Sequence, residues 1–285
     1  MEILKTYKIY LDGAFPRTES GRYYPVVDPQ GNTLANMCLC SRKDVRNAVV
    51  AARKALGGWS EKTAFNRGQI LYRIAEMLEG RKGQFVEELI KQGSSKAKAE
   101  KEVQHTLDRI VYYAGWADKY QQIASSVNPV SSSHFNFSAL EPMGVVGIIA
   151  PQDSALLGLV SLVIPAICGG NTAVVVSSEN LPLCSITFAE VLHSSDVPGG
   201  VVNILTGKVS ELAPTLASHM DVNALVSSSL GELEKPLALS CVENLKRNMV
   251  YTNTEEQGLN FITDLQEVKT TWHPIESIGG SSSTY

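Results

Sequence analysis

The chain has 285 residues, of which 44% are hydrophobic and 19% are charged, and its formal net charge is −4. This length and apolar content suffice for one large or two small domains with a sizeable core. The slightly acidic balance, without a dense Lys/Arg block, argues against nucleic acid as the main partner. The most apolar window, residues 156–168, is interrupted by Ser161 and Pro165 and is too short to span a bilayer. We therefore expect a soluble protein that does not use a membrane.

The five cysteines are scattered along the chain. Cys38 and Cys40 are too closely spaced for a zinc knuckle, and no matching pair lies elsewhere. Cys168 and Cys184 lie in apolar segments with helical periodicity, where cysteine usually serves as a small core residue. The N-terminal segment lacks the long apolar core of a signal peptide. These features predict reduced thiols in a cytoplasmic protein.

The N-terminal segment, residues 7–41, alternates polar and apolar positions between turn signals. Asp12-Gly13 and the turn at 30–32 predict two hairpin-like pieces. Ser41 is a candidate N-cap for a helix of about 15 residues, which we expect to end at Gly57-Gly58.

Two further helices are predicted before the middle of the chain. An amphipathic pattern runs from about Ala64 to Gly93, and Gly80 and Gly83 are expected to break or loosen it. Another helix is predicted over roughly 97–124. We expect all three N-terminal helices to cover one face of a sheet.

That sheet is predicted from short apolar runs rich in Val and Ile. Three of them, Val145–Ala150, Thr172–Val176 and Val201–Leu205, are separated by two segments with helical periodicity. Strands that are apolar on both faces and joined by crossover helices are typical of a parallel sheet covered on both sides. Two more strands are predicted at Val222–Val226 and Asn248–Tyr251. The fold class is therefore α/β, with a doubly wound parallel sheet.

Two segments outside this unit are predicted to be strands at a surface. Residues 125–138 read as a two-stranded ribbon with a turn at 131–133, and the apolar side chains Phe135 and Phe137 alternate with polar ones. An exposed ribbon of this kind usually pairs with something. Residues 266–273 form one further strand, followed by a Gly/Ser-rich tail that we expect to be flexible.

Taken together, these motifs resemble the cofactor-binding domain of the aldehyde dehydrogenase superfamily over nearly the whole chain. The phrases that carry the resemblance are YLDGAF…VVDPQGNTLA, EPMGVVGIIAPQD, GNTAVVVSSENLPL, VPGGVVNILTG and EVKTTWH. The resemblance implies a Rossmann-like sheet with N-terminal helices and a protruding oligomerisation hairpin. It divides the chain into N-terminal hairpins and covering helices (1–126), an oligomerisation ribbon (127–140), a Rossmann-like core (141–257), and an oligomerisation strand with a flexible tail (258–285).

The largest departure from the family lies between Tyr251 and about Leu265. Only about 13 residues stand there, where the family has its catalytic domain with the nucleophilic cysteine in a Gly-Gln-x-Cys loop. No cysteine of this chain has that context. In this respect the chain most resembles the degenerate C-terminal repeat of the two-repeat aldehyde dehydrogenases of family 16. The resemblance therefore implies no catalytic residues.

Two positions are vestigial by the same comparison. Asp153 stands where the family has the Asn that donates to the oxyanion, and an ionised carboxylate can only accept. Asp153 is also explained as the N-cap of a helix. In this comparison Cys241 aligns with the general-base Glu, and it is either a displaced nucleophile or a buried cysteine at the end of a strand.

The candidate cofactor-binding residues are Glu179, Ser177 and Ser228. The family's Lys-Pro-Ser-Glu, which holds the adenosine ribose, appears as VSSE at 176–179, so the Glu is kept and the Lys is lost. Glu179 is equally explained as a solvated residue before a helix. Ser228 could cap a helix or touch a phosphate, but Ser227 places a side chain where the family has a glycine. We expect no bound cofactor, with NAD or NADP as the alternative.

Three functions follow from these comparisons. The first is a non-catalytic scaffold that forms a homodimer, or docks on an active aldehyde dehydrogenase, through the ribbon and the last strand. The second is an NAD-dependent, aldehyde-oxidising enzyme whose missing parts come from a partner chain or a linked repeat. The third is a sensor that binds a dinucleotide without turnover. No metal site is expected, because the histidines lack metal-ligand spacing.

Overall fold

A five-stranded parallel sheet lies at the centre of the protein in the computed structural model, which describes residues 4–275. The strands in chain order are β1 Thr6–Tyr7, β2 Tyr23–Val27, β3 Thr33–Cys38, β4 Ser126–Asn128, β5 His134–Pro142, β6 Val145–Ile149, β7 Thr172–Val176, β8 Val202–Leu205, β9 Ala224–Ser227, β10 Arg247–Val250 and β11 Gln266–Pro274. The α-helices are α1 Arg42–Ser60, α2 Ala64–Gly80, α3 Lys82–Lys91, α4 Lys96–Trp116, α5 Tyr120–Ala124, α6 Leu157–Cys168, α7 Leu183–His193, α8 Val209–Ser218, α9 Glu234–Val242 and α10 Asn260–Thr263.

The parallel sheet has the strand order β10-β9-β6-β7-β8. Every residue of β6, β7, β8 and β9 is buried, as expected of strands that have helices on both faces. The chain steps outward from β6 to β8 and then returns to the other side of β6 as β9. The predicted α/β class with a doubly wound sheet is therefore confirmed. The strand predicted at 222–226 begins two residues later, because Val222 belongs to a turn in which its N–H donates to the carbonyl of His219.

The helices divide between the two faces of the sheet. One face packs against α2, α4, α6 and α7, and the other packs against α1, α8 and α9. The expectation that all three N-terminal helices cover one face is therefore wrong. The apolar stripe of α1, with Val45 and Val49, joins the cluster that contains Val145 and Val174, whereas α2 and α4 join the opposite one.

The first helix also runs further than its sequence suggests. It continues through Gly57-Gly58 to Ser60 instead of ending at the glycines. Trp59 explains the extension, because its side chain is buried and its Nε1 donates to the carbonyl of Ile167 over 3.0 Å. Ser41 is confirmed as the residue before the helix, and its N–H and Oγ both donate to the Asp44 carboxylate.

Both long helical patterns are divided in two. The first breaks at Arg81, directly after Gly80, as the glycine there predicts. The second does not run unbroken to residue 124: α4 ends at Trp116 and a turn at 117–119 leads into α5. This turn brings the side chain of Tyr120 back into the core, where it is almost fully buried. No helix within residues 4–275 is both long and apolar enough to cross a membrane.

Two further sheets have three strands each: one has the order β1-β3-β2, and the other, which we call the outer sheet, has the order β11-β5-β4 and is antiparallel throughout. The predicted ribbon therefore pairs its two strands, and the last strand joins it through nine residue pairs. Phe137 lies opposite Val127 on one side and Thr271 on the other. The predicted flexible Gly/Ser-rich tail lies outside the described residues.

Candidate functional site

Three of the predicted site residues lie at one edge of the parallel sheet. Asp153 follows β6, Glu179 follows β7 and Ser228 follows β9, and these strands are neighbours. The carboxyl ends of parallel strands are where ligands bind in doubly wound folds. Ser177 directly follows β7, but its side chain is fully buried and its N–H donates to the carbonyl of Leu205. The structure thus brings three of the candidates to one edge and buries the fourth.

Glu179 binds the start of α8 instead of facing an open cleft. Its Oε1 accepts from Nζ of Lys208 at 2.5 Å, and its Oε2 accepts from the N–H of Val209 at 3.1 Å. The N–H of Glu179 itself donates to Oε1 of Gln152 at 2.8 Å. A carboxylate at a helix N-terminus is favoured by the helix dipole. The acidic side chain therefore acts as a cap for α8.

The start of α6 is capped by a residue far away in the sequence. Oε1 of Glu102, on α4, accepts from the N–H groups of Leu156 and Leu157 at 3.0 and 3.1 Å. Ser154 adds a local cap, because its Oγ accepts from the N–H of Gly158 at 2.8 Å. The proposal that Asp153 is the N-cap is therefore wrong. Its side chain is exposed one residue before Ser154, and the cap is provided by Ser154 and Glu102.

The segment after β9 is held by a third carboxylate. Oε1 of Glu234 accepts from Oγ of Ser229 at 2.6 Å and from the N–H of Leu230 at 2.8 Å. These hydrogen bonds lower the pKa of Glu234 below its usual value, because they favour the charged form. Ser228 is half-buried beside this turn, and Ser227 is buried at the end of the strand.

These contacts test whether the edge fits a dinucleotide. A bound dinucleotide needs free N–H donors for its pyrophosphate and a free acceptor for its ribose. Here the donors at the starts of α6, α8 and the turn before α9 are held by Glu102, Glu179 and Glu234. Glu102 and Glu234 form no ion pair among the described residues, so their charges also disfavour phosphate, whereas the charge of Glu179 is paired with Lys208. The residues in this arrangement therefore do not fit a dinucleotide.

Cys241 does not lie at this edge on a strand. It lies on α9, where its side chain is buried against the cluster beneath α8. The alignment of Cys241 with the family's strand-borne Glu is therefore wrong, because the last parallel strand is β10, at Arg247–Val250. The residue that follows the carboxyl end of that strand is Tyr251. The expectation of a buried cysteine is confirmed, but on a helix.

All five cysteines are buried and free. Burial raises the pKa of Cys40, Cys184 and Cys241 above the usual thiol range, and it raises the pKa of Cys168 to about 12. The nucleophile in cysteine chemistry is the thiolate, and a reactive cysteine is partly exposed beside positive charge. These four thiols are buried instead; Arg67 near Cys168 and Lys246 near Cys241 favour the thiolate, but burial is the larger effect on the pKa of both.

A short segment, residues 251–259, connects β10 to α10 at the point where the family would insert its catalytic domain. We call it the link. Its first residue, Tyr251, stacks on Phe261 with ring centroids 4.3 Å apart. Near its end, the carbonyl of Gly258 accepts from the hydroxyl of Tyr113 at 3.4 Å. Both ends of the link are therefore packed on the domain.

Arg109, on α4, holds the middle of the link. Its guanidinium donates to the carbonyls of Thr254 and Glu255 at 3.1 and 2.5 Å, and to Oε1 of Gln257 at 3.2 Å. A further bond to Oγ of Ser161 ties the same group to α6. Arg109 is only 5% exposed. Burial lowers its pKa, and the four acceptors satisfy most of its donors.

Four residues of this region have no sequence signal that would identify them. Glu102 and Arg109 look like ordinary polar positions on an amphipathic helix, and their partners lie 52 to 148 residues further along the chain. Gln152 and Lys208 lie in loops after strands, at the edge where ligands bind in parallel sheets. Their residue types alone do not reveal what they bind.

Comparison with known proteins places this arrangement in a family. Residues 15–252 match the aldehyde dehydrogenase family. The chain is therefore a member of that family, in the form of its cofactor-binding domain. It is 30% identical over 254 residues to the cytosolic 10-formyltetrahydrofolate dehydrogenase of Xenopus tropicalis, covering 87% of this chain and 28% of that protein. It is 32% identical to the retinal dehydrogenase 2 of Gallus gallus, covering 86% of this chain and 48% of that protein.

Solved structures agree with the sequence comparison. The NAD-dependent aldehyde dehydrogenase of Sinorhizobium meliloti superposes with a TM-score of 0.83 at 26% identity, over 87% of this chain and 50% of that one. The NAD⁺ complex of an aldehyde dehydrogenase from Bacillus cereus gives a TM-score of 0.82 at 25% identity, over 86% and 50%. The chain thus spans about half or less of the length of the relatives it matches. Within residues 4–275, no group of three or more His, Cys, Asp or Glu side chains could hold a metal ion.

Proposed function

We propose that this chain is a non-catalytic member of the aldehyde dehydrogenase family that associates with another subunit through its outer sheet, β11-β5-β4. The partner is a second copy of the chain or an active aldehyde dehydrogenase. The resemblance to the degenerate repeat of family 16 supports the same reading.

The observation that carries the proposal is the anchored link. A catalytic domain supplied by another chain would have to engage the surface where β10 ends, and there Arg109 binds the link through three contacts. Because most donors of this buried guanidinium are satisfied, the link is a stable part of the fold and not a disrupted segment. The raised thiol pKa values add to this, because the described residues offer no thiol ready for nucleophilic attack.

Exposed apolar side chains on the outer sheet support association through it. Val127 is 68% exposed and Phe135 is 46% exposed, and the ring of Phe135 lies 5.6 Å from that of Phe137. These side chains share one face of the sheet. In addition, β11 is an edge strand of nine residues whose outer backbone groups can pair with another strand.

The test is the oligomeric state after substitution on this face. We expect the purified chain to elute as a dimer, or to co-elute with an active aldehyde dehydrogenase, in light scattering coupled to gel filtration. The double variant Phe135→Asp/Phe137→Asp should lose that association, because two carboxylates would be buried in the interface. Phe65→Asp, at an exposed phenylalanine on α2 that lies outside this sheet, is the control and should leave it intact. A wild-type chain that is monomeric alone and fails to bind the enzyme would refute the proposal.

We also propose a cytoplasmic location. The five buried free cysteines and the cytosolic relatives support it.

A further inference from the structure

A cluster of positive charge on the opposite face from the link has no role in anything described so far. Arg22, Arg42, Lys43 and Arg46 line one surface cavity of about 480 Å³. The rest of the lining consists of Ser41, Ser210 and Glu211. Four cations and one carboxylate therefore surround a single concave surface in a chain whose net charge is −4.

Most of this charge is not neutralised by the protein. Within residues 4–275, no carboxylate oxygen lies within 4.0 Å of the guanidinium nitrogens of Arg22, Arg42 or Arg46. Only Lys43 has a carboxylate partner, Glu19. The buried Asp44 carboxylate accepts from the N–H and Oγ of Ser41 and from the N–H of Glu19, and it forms no ion pair with these arginines.

The position of the arginines is unfavourable for the free protein. Arg42 and Arg46 are four residues apart on α1, so two like charges face each other on one side of the helix. Arg42 also lies in the first turn of that helix, where the dipole disfavours cations. Local charge arrangements that disfavour folding in this way are usually found at functional sites. A bound anion would remove the conflict.

We propose that this cavity binds the phosphate group of a small phosphorylated molecule. Guanidinium groups match phosphate oxygens in pairs of parallel hydrogen bonds. Arg22 approaches from the loop before β2, and Arg42 and Arg46 approach from α1, so the donors surround the phosphate from two sides. The Ser41 and Ser210 hydroxyls are polar groups for the remaining oxygens. A small ligand is indicated because the cations form one compact group and not a stripe along the surface.

The experiment is a thermal-shift titration of the full chain at constant ionic strength. The probes are inorganic phosphate and glucose 6-phosphate, with unphosphorylated glucose and sodium chloride as controls. We expect both phosphates to raise Tm and glucose to leave it unchanged. A shift by inorganic phosphate alone would assign the site to the free ion, and a larger shift by glucose 6-phosphate would assign it to a phosphate ester; both support a phosphate site.

Variants connect the shift to the cavity. Arg46→Gln should weaken phosphate binding about tenfold or more, because it removes a charged hydrogen-bond donor. Lys54→Gln removes one exposed charge from the same helix outside the cavity and should bind as the wild type does. Without ligand, Arg46→Gln should keep or raise Tm, because the like-charge pair is gone, whereas a purely structural arginine would lower it. No shift with either phosphate, or equal phosphate binding by the wild type and Arg46→Gln, would overturn the proposal.

Discussion

Glu88 is a buried acid that forms no ion pair within residues 4–275. Its Oε1 accepts from Oγ1 of Thr187 at 2.7 Å and from the hydroxyl of Tyr7 at 3.3 Å, whereas Oε2 is buried without a hydrogen-bond partner among the described residues. Burial is the main cause that raises the pKa of Glu88 above 4.5, and the hydrogen bonds from Thr187, Gln84 and Tyr7 offset only part of that effect. The same carboxyl group helps to raise the pKa of Cys184 on α7.

The raised pKa of Glu88 predicts how stability changes with pH. The folded state holds the proton more tightly than the unfolded state, so this contribution is fully present below about pH 4.5 and is lost as pH rises through the folded-state pKa. Glu88→Gln removes the titration and keeps the acceptor for Thr187. We expect the variant to be more stable than the wild type at pH 8, by on the order of 1 kcal/mol, and no more stable at pH 4.

Urea unfolding at the two pH values measures this difference. Glu87→Gln, which changes the exposed neighbour on α3, is the control and should show no pH-dependent gain. An equal effect of Glu88→Gln at both pH values would show that the carboxyl group does not titrate between them.

At the scale of elements, polar contacts between residues far apart in the sequence hold the connection that follows the parallel sheet. The link is short and irregular, and its backbone carbonyls would be left without partners if nothing on the domain reached them. Arg109 reaches two of them from α4, and Arg247 acts similarly at the start of β11, where its Nη1 donates to the carbonyls of Asp264 and Gln266 at 2.6 and 2.9 Å. Two arginines therefore fix the path from the parallel sheet to the outer sheet.

Removal of the Arg109 side chain should release the link. Arg109→Ala leaves Thr254 and Glu255 carbonyls without their donor, and we expect a loss of about 2–3 kcal/mol in the free energy of unfolding. The link contains Glu255 and Glu256, so a glutamate-specific protease should cut it faster in the variant under native conditions.

Lys101→Ala, at an exposed position on the same helix, serves as the comparison and should leave both the unfolding curve and the cleavage rate unchanged. Slow cleavage of Arg109→Ala at the wild-type rate would mean that the link is held by other contacts, such as the stacking of Tyr251 on Phe261.

At the scale of the whole molecule, the sequence predicts those features that repeat along the chain. The apolar strands β6, β7 and β8 are found within one residue of their predicted bounds, because burial on both faces leaves a continuous Val/Ile signal. The sequence does not predict which face α1 covers, since an apolar stripe fits either face. Cys241 is predicted to lie on a strand and lies on a helix, because no family motif is present there to fix the alignment. The carboxylates that cap α6 and α8 come from residues 29 to 55 positions away, and local patterns do not encode such contacts.

Those capping carboxylates lead to a prediction for the whole protein in solution. Because Glu102, Glu179 and Glu234 hold the donors at the carboxyl edge of the sheet, NAD and NADP should not bind there, and millimolar concentrations of NAD should leave Tm unchanged. The same sample mixed with NAD and an aldehyde should form no NADH. NADP carries an additional phosphate, so any shift that it causes must be repeated with Arg46→Gln to separate the edge from the basic cavity. A shift with NAD that Glu179→Gln alters would show that the edge opens to a dinucleotide, and turnover that Cys241→Ser abolishes would show that a buried thiol becomes exposed and reactive.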